Sequence, residues 1–225
     1  MDSSIISPFA KALGEQKAQY AGVISDGVKS IALPASEESM QIGKKNFLTE
    51  SGWTFIVIGV IAAIAGLVMC VPGIWISGFT AIASGVYCIV KGKAQLKAEA
   101  FTKVGDSVYS SIEGTVAKVS KGWTADIVAQ NAGLRKSIIN SAASNDEKAE
   151  AVGKVVDEGY FHVDMADIRK EIDSAAAKST LDSMRATLSK AGQALSDALD
   201  VAAKARQDIL TSLSAPAKAQ PAPAK

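Results

Sequence analysis

The sequence predicts an all-α protein: a membrane-inserted helical hairpin joined to an elongated amphipathic helical bundle or coiled coil. Three observations carry that expectation. Ser51 to Val90 is a run of forty residues without a charged side chain, bounded by Glu50 and Lys91. Its midpoint is Val71-Pro72-Gly73, which reads as a tight turn between two apolar helices. Outside the run, apolar residues recur at the three-, four- and seven-residue steps of a helix face.

In chain order, the first element is an amphipathic helix within residues 1–35. Ser7 and Pro8 suit an N-cap and a first helical position. Phe9, Leu13, Tyr20, Ile24, Val28 and Ile31 then share one stripe, and Pro34 closes the segment. Gly14, Gly22 and Gly27 weaken this helix by roughly 1 kcal/mol each relative to Ala, so it is expected to be ordered only when docked. Residues 36–51 read as a juxtamembrane helix starting at Ser36, Glu37 and Glu38, carboxylates that suit the positive end of a helix dipole.

Residues 52–90 form the expected two-helix transmembrane hairpin. A bilayer core of about 30 Å needs roughly 17–25 helical residues; Gly52 to Val71 supplies 20 and Ile74 to Val90 supplies 17. Pro72 prevents the two halves from running through as one helix, and lipid requires the backbone to satisfy its own hydrogen bonds. Lys44 and Lys45 precede the hairpin, Lys91, Lys93 and Lys97 follow it, and the turn is uncharged. The positive-inside rule then keeps both termini cytoplasmic. Trp53 and Tyr87 fall at one interface and Trp75 beside the turn, as amphipathic rings at headgroup depth would. Gly59 with Ala63, Ala62 with Gly66, and Ser77, Ala81 and Gly85 give small-residue rows for close helix packing. In an antiparallel pair Cys70 and Cys88 lie about 20 Å apart, which excludes an internal disulfide.

Residues 91–213 read as an elongated helical bundle. Helix is expected from Lys91 to about Ala143, on a stripe of Ile112, Val116, Val119, Trp123, Ile127, Leu134 and Ile138. Gly105, Gly114, Gly122 and Gly133 are expected to kink or divide it. A shorter helix follows from Asp146 to Glu158, capped by Asn145 and ended by Gly159. Tyr160, Phe161, His162 and Val163 form an inter-helix turn. Asp164 and Asp167 start a last helix through Ile168, Ile172, Leu181, Met184, Leu188, Ala191, Leu195, Leu199, Ala202, Ile209 and Leu213. Unbroken, it spans about 75 Å. Residues 214–225 are an Ala/Pro/Lys tail too poor in core residues to fold.

Charge is balanced, with 24 Lys and Arg against 23 Asp and Glu, so nothing global favours nucleic acid. The balance hides a gradient: six basic against three acidic residues from Lys91 to Lys121, then twelve acidic against seven basic from Asp146 to Asp200. The first stretch suits anionic headgroups and the second is repelled by them. Met1 to Ser7 does not read as a cleavable signal, so targeting is expected to come from the hairpin.

Chemistry-bearing patterns are sparse. The single histidine, His162, stands near Asp157, Glu158 and Asp164, residues that helix capping and termini explain as well as metal ligation does. There is no CxxC, HExxH or Gly-x-Ser-x-Gly, and Lys91-Gly92-Lys93 lacks the rest of a phosphate-binding loop. No catalytic, cofactor-binding or metal site is expected, and neither an enzyme nor a small-molecule substrate. The uncharged hairpin also offers no proton or ion relay.

The arrangement of Trp53 to Val90 and the helices after it resembles the bilobed hydrophobic hairpin and cytosolic helices of secreted bacterial inclusion-membrane proteins. That likeness is architectural and rests on no shared motif; it implies insertion into a host vacuole membrane. Two function classes follow from the residues themselves. One is a membrane-anchored interaction or scaffold protein, whose partners are the lipid bilayer and another helical protein or a further copy of this chain. The other is a pore-forming or translocator-type protein whose hairpin inserts and oligomerises. The uniformly apolar hairpin suits lipid better than a water-filled lumen, which favours the first.

Overall fold

The computed structural model describes residues 3–37, 46–68, 72–157 and 159–214, with side chains described except at 65–68 and 72–75. The elements are α1 (Ser3–Lys29), α2 (Phe47–Val68), α3 (Pro72–Ile139), α4 (Asn145–Lys154), α5 (Met165–Lys178) and α6 (Leu181–Ser214). No strand occurs among the described residues, so the all-helical class holds. The chain divides into two compact units. One collects Met1–Ile31, Tyr109–Arg169 and Leu188–Lys225, the other Ala32–Val108 and Lys170–Thr187.

In the first unit the helical stripes turn inward as their spacing requires. Leu13, Tyr20 and Ile24 of α1, Ile112, Trp123, Ile127 and Leu134 of α3, and Leu195, Leu199 and Leu210 of α6 are all buried. α1 begins at Ser3, upstream of the expected Ser7 cap, and carries Pro8 inside it. The missing Pro8 donor costs one early hydrogen bond, while the longer helix buries Ile6 to 3% exposure. Gly27 has a use beyond weakening α1: a methyl there would lie 2.6 Å from Thr115 Oγ1 on α3.

α3 is one helix of 68 residues, not the divided segment its glycines suggested. Gly105 lets Ile172 approach within 3.2 Å of the missing Cβ, and Gly122 accepts the Tyr20 ring. These glycines are contact points between helices, so they do not act as breaks.

α4 is capped by Ser144 in place of Asn145. Glu147 N donates to Ser144 Oγ at 3.3 Å and Ser144 N donates to Glu147 Oε2 at 3.1 Å, a reciprocal capping box. The helix ends at Lys154, short of the expected Glu158, and Gly159 with φ 86° belongs to the following loop. Asp164 does cap α5, its Oδ1 accepting from Ala166 N at 2.9 Å.

The expected single last helix is two. Ser179 takes φ 52°, which an α-helix does not allow, and Thr180 Oγ1 then accepts from Ser183 N at 3.3 Å to start α6. An N-cap hydroxyl three residues before Ser183 outcompetes helix continuation.

Half of the juxtamembrane helix expected over 36–51 falls outside the described residues, at 38–45. Glu37 is in a turn, and 47–51 open α2. No helix boundary falls at 90/91, since α3 runs through it. The tail at 215–225 is also outside the described residues.

Candidate functional site

The face with the least ordinary chemistry belongs to the α2–α3 pair, within the second unit. It is built on glycine. Gly52 and Gly59 lie seven residues apart on α2; Gly78, Gly85 and Gly92 repeat that step on α3. Seven residues are nearly two full turns, so each row stays on one face. The rows meet antiparallel. A methyl on Gly59 would lie 2.7 Å from the Gly78 carbonyl oxygen, and one on Gly78 would lie 2.6 Å from that of Gly59. Gly52 and Gly85 oppose each other in the same way, at 2.7 and 2.5 Å. Backbone meets backbone, with Cα–H groups beside carbonyls.

The third step is closed by a side chain. Asn46 Nδ2 donates to the Gly92 carbonyl oxygen at 2.9 Å. Its Oδ1 caps α2 by accepting from Thr49 N at 2.9 Å, and one residue thereby starts α2 and ties it to α3.

With glycine inside, the bulky residues point outward. Trp53 is 63% exposed, Ile61 64% and Tyr87 62%. Thirteen of the eighteen exposed large apolar residues among those described lie between Phe47 and Val90. At roughly 1 kcal/mol for each exposed half of such a side chain, this face withholds on the order of 10 kcal/mol of burial, comparable to the whole stability of a domain. The hydroxyls are meanwhile satisfied within their own helices. Thr54 donates to Glu50 O at 3.1 Å, Thr80 to Ile76 O at 3.0 Å and Ser84 to Thr80 O at 2.9 Å. Such back-bonding leaves the face without a hydroxyl proton that needs water.

One helix among the described residues is long and apolar enough to cross a membrane, over Phe47–Ile64, and only 17% of that stretch is buried. The second apolar run continues within α3 to Val90 and is followed by Lys91 and Lys93. Of the small residues singled out by spacing, Gly59, Ala63 and Gly85 are inside, Ala62 and Ala81 are half-buried, and Ser77 is exposed. The inner row of α3 is therefore Gly78, Gly85 and Gly92, with a seven-residue step that the four-residue motif overlooked. Cys88 is a half-buried free thiol; Cys70, Gly66 and Trp75 have no described side chains.

The first unit holds a polar cluster around the loop after α4. Trp123 Nε1 donates to Gly159 O at 2.7 Å, Arg135 Nη2 to Val155 O at 2.7 Å, and Asn131 Nδ2 to Asp157 Oδ1 at 2.5 Å. Arg206 is fully buried, and its three guanidinium nitrogens have no hydrogen-bond partner among the described residues. Burial pulls its proton affinity down, Asp157 works the other way, and Arg135 adds to the fall. Tyr20 is pushed up to about 12, by burial first and then by donating to Asp126 Oδ2 at 2.9 Å. His162 is exposed, and no group of three metal-ligating side chains occurs among the described residues. Compared with known proteins, the chain matches no family, no curated sequence and no solved structure.

Proposed function

We propose that the α2–α3 pair is the lipid-inserted anchor of a membrane-tethered interaction protein. One observation carries this reading: the pair is packed inside out for water, with glycine at its seam and bulky apolar side chains outside. In lipid that arrangement is economical, since small residues let helices pack closely where no hydrophobic effect joins them. The bulky face meets acyl chains. Gly52 to Val68 gives about 25 Å of helix and Pro72 to Val90 about 28 Å, against a hydrocarbon core of about 30 Å. Two crossings place both termini on one side, and the flanking lysines make that side cytoplasmic.

The amphipathic helices beyond the anchor then serve as the surface for a helical partner or a second copy, by coiled-coil or bundle packing. A pore is disfavoured by the same face. Its hydroxyls bond their own helices, and a water-filled lumen would need polar groups presented along one side. Purified protein mixed with dye-loaded liposomes tests both readings. Carbonate-resistant insertion without dye release is the expected result. Leakage at low protein-to-lipid ratio would favour the pore, and no association would remove both.

A further inference from the structure

We infer that the base of the α2–α3 pair is a docking surface for anionic phospholipid headgroups, with Lys91 and Lys93 as its cations. The inference rests on the anchor reading and names the lipid it selects. The bulky apolar face of α3 stops at Val90, which is 61% exposed. Lys91 and Lys93 follow at once, both exposed, and neither has an ion-pair partner among the described residues. The next lysine is occupied: Lys97 Nζ lies 2.6 Å from Glu37 Oε2. Two cations with no ion pair among the described residues therefore border the apolar surface, one helix turn before the paired Lys97.

Their placement is specific. Lys91 Nζ lies 5.7 Å from the centroid of the Tyr87 ring, so the charge sits beside an exposed aromatic of the apolar face. An amphipathic ring marks headgroup depth in a bilayer. Asn46, bonded to the Gly92 carbonyl between the two lysines, brings the start of α2 to the same level. The next acidic residue along α3 is Glu99, exposed about two turns further on; Glu50, exposed, lies in the first turn of α2. No carboxylate among the described residues forms an ion pair with either lysine. A zwitterionic headgroup brings its own ammonium to such a site, whereas an anionic one leaves its phosphate or carboxylate for the lysines. Juxtamembrane lysines near an anionic leaflet each strengthen binding about fivefold, and salt screens the gain over a Debye length of about 8 Å.

The test measures partition of the full chain into vesicles of phosphatidylcholine alone and of phosphatidylcholine mixed with phosphatidylserine, at low and high salt. Binding to both is expected, tenfold or more stronger with phosphatidylserine, with the increment lost in high salt. Lys91→Gln with Lys93→Gln should remove most of that increment and leave partition into phosphatidylcholine unchanged, while the paired Lys→Arg variant retains it. Equal partition of the native chain into both vesicles, or an increment that survives the double Gln variant, would overturn the inference and leave the anchor standing. Failure to bind any vesicle would instead defeat the anchor reading itself.

Discussion

The core around Trp123 and the α2–α3 pair use the same residues in opposite places. In the first, Ile112, Ile127 and Trp123 are fully buried while Gly14, Gly22 and Gly114 face open space. In the second, Gly52, Gly59, Gly78 and Gly85 are buried and Ile58, Ile61 and Phe79 are more than half exposed. Helix propensity is poor for glycine in both. What differs is the solvent each arrangement fits: water expels Ile112 into a core, and only an apolar surrounding favours Ile61 on an outer face.

Five substitutions sharpen that contrast. Trp123→Ala should cost about 3–5 kcal/mol in chemical unfolding and free Gly159 O. Its counterpart Trp53→Ala should move unfolding by less than about 0.5 kcal/mol while weakening vesicle partition several-fold. Gly78→Leu drives a side chain into Ala63 N and Gly59 O, a backbone collision of about 1–3 kcal/mol or more, read as lost α2–α3 cross-linking. Gly114→Ala, with nothing within reach of its new methyl, should stabilise α3 by up to about 1 kcal/mol. Arg206→Met removes a buried guanidinium without hydrogen-bond partners among the described residues and should raise stability by about 1–3 kcal/mol. An unchanged or lowered melting temperature would show that the charge is compensated.

The pH dependence adds a smaller effect in the first unit. Because Tyr20 is raised to about 12, its contribution is fully present below the ordinary phenol range near 10. It is lost as pH climbs through about 12. Phenolate absorbance should show one late-titrating tyrosine, absent in Tyr20→Phe. If every tyrosine titrates near 10, the Asp126 contact does not hold in solution. In the second unit Glu37 is held below the usual carboxylate range, chiefly by its hydrogen bond from Lys97. That contribution is present above the ordinary carboxylate pKa and fades as acid protonates Glu37.

Helix faces were legible because their period is a local property of the chain. Leu13, Tyr20, Ile24, Trp123, Ile127 and Leu199 all point where their spacing puts them. Punctuation was less so. Ser179 leaves the helix although the apolar stripe continues past it, because the Thr180 cap and positive φ depend on tertiary context. Pro8 stays inside α1 because burial of Ile6 outweighs a lost hydrogen bond. The glycine seam was present in the sequence as a seven-residue step, hidden behind the more familiar four-residue one. Asn46 carried no such signal: its bond to Gly92 joins positions 46 residues apart, and spacing cannot reveal it.

The most direct test is a fluorophore attached through Ile61→Cys, in a chain with Cys70→Ser and Cys88→Ser, mixed with vesicles whose acyl chains are brominated. Strong quenching, absent when bromine is confined to the aqueous phase, is the result expected for a face that meets lipid. A label that stays unquenched while the detergent-free protein remains monodisperse would contradict it.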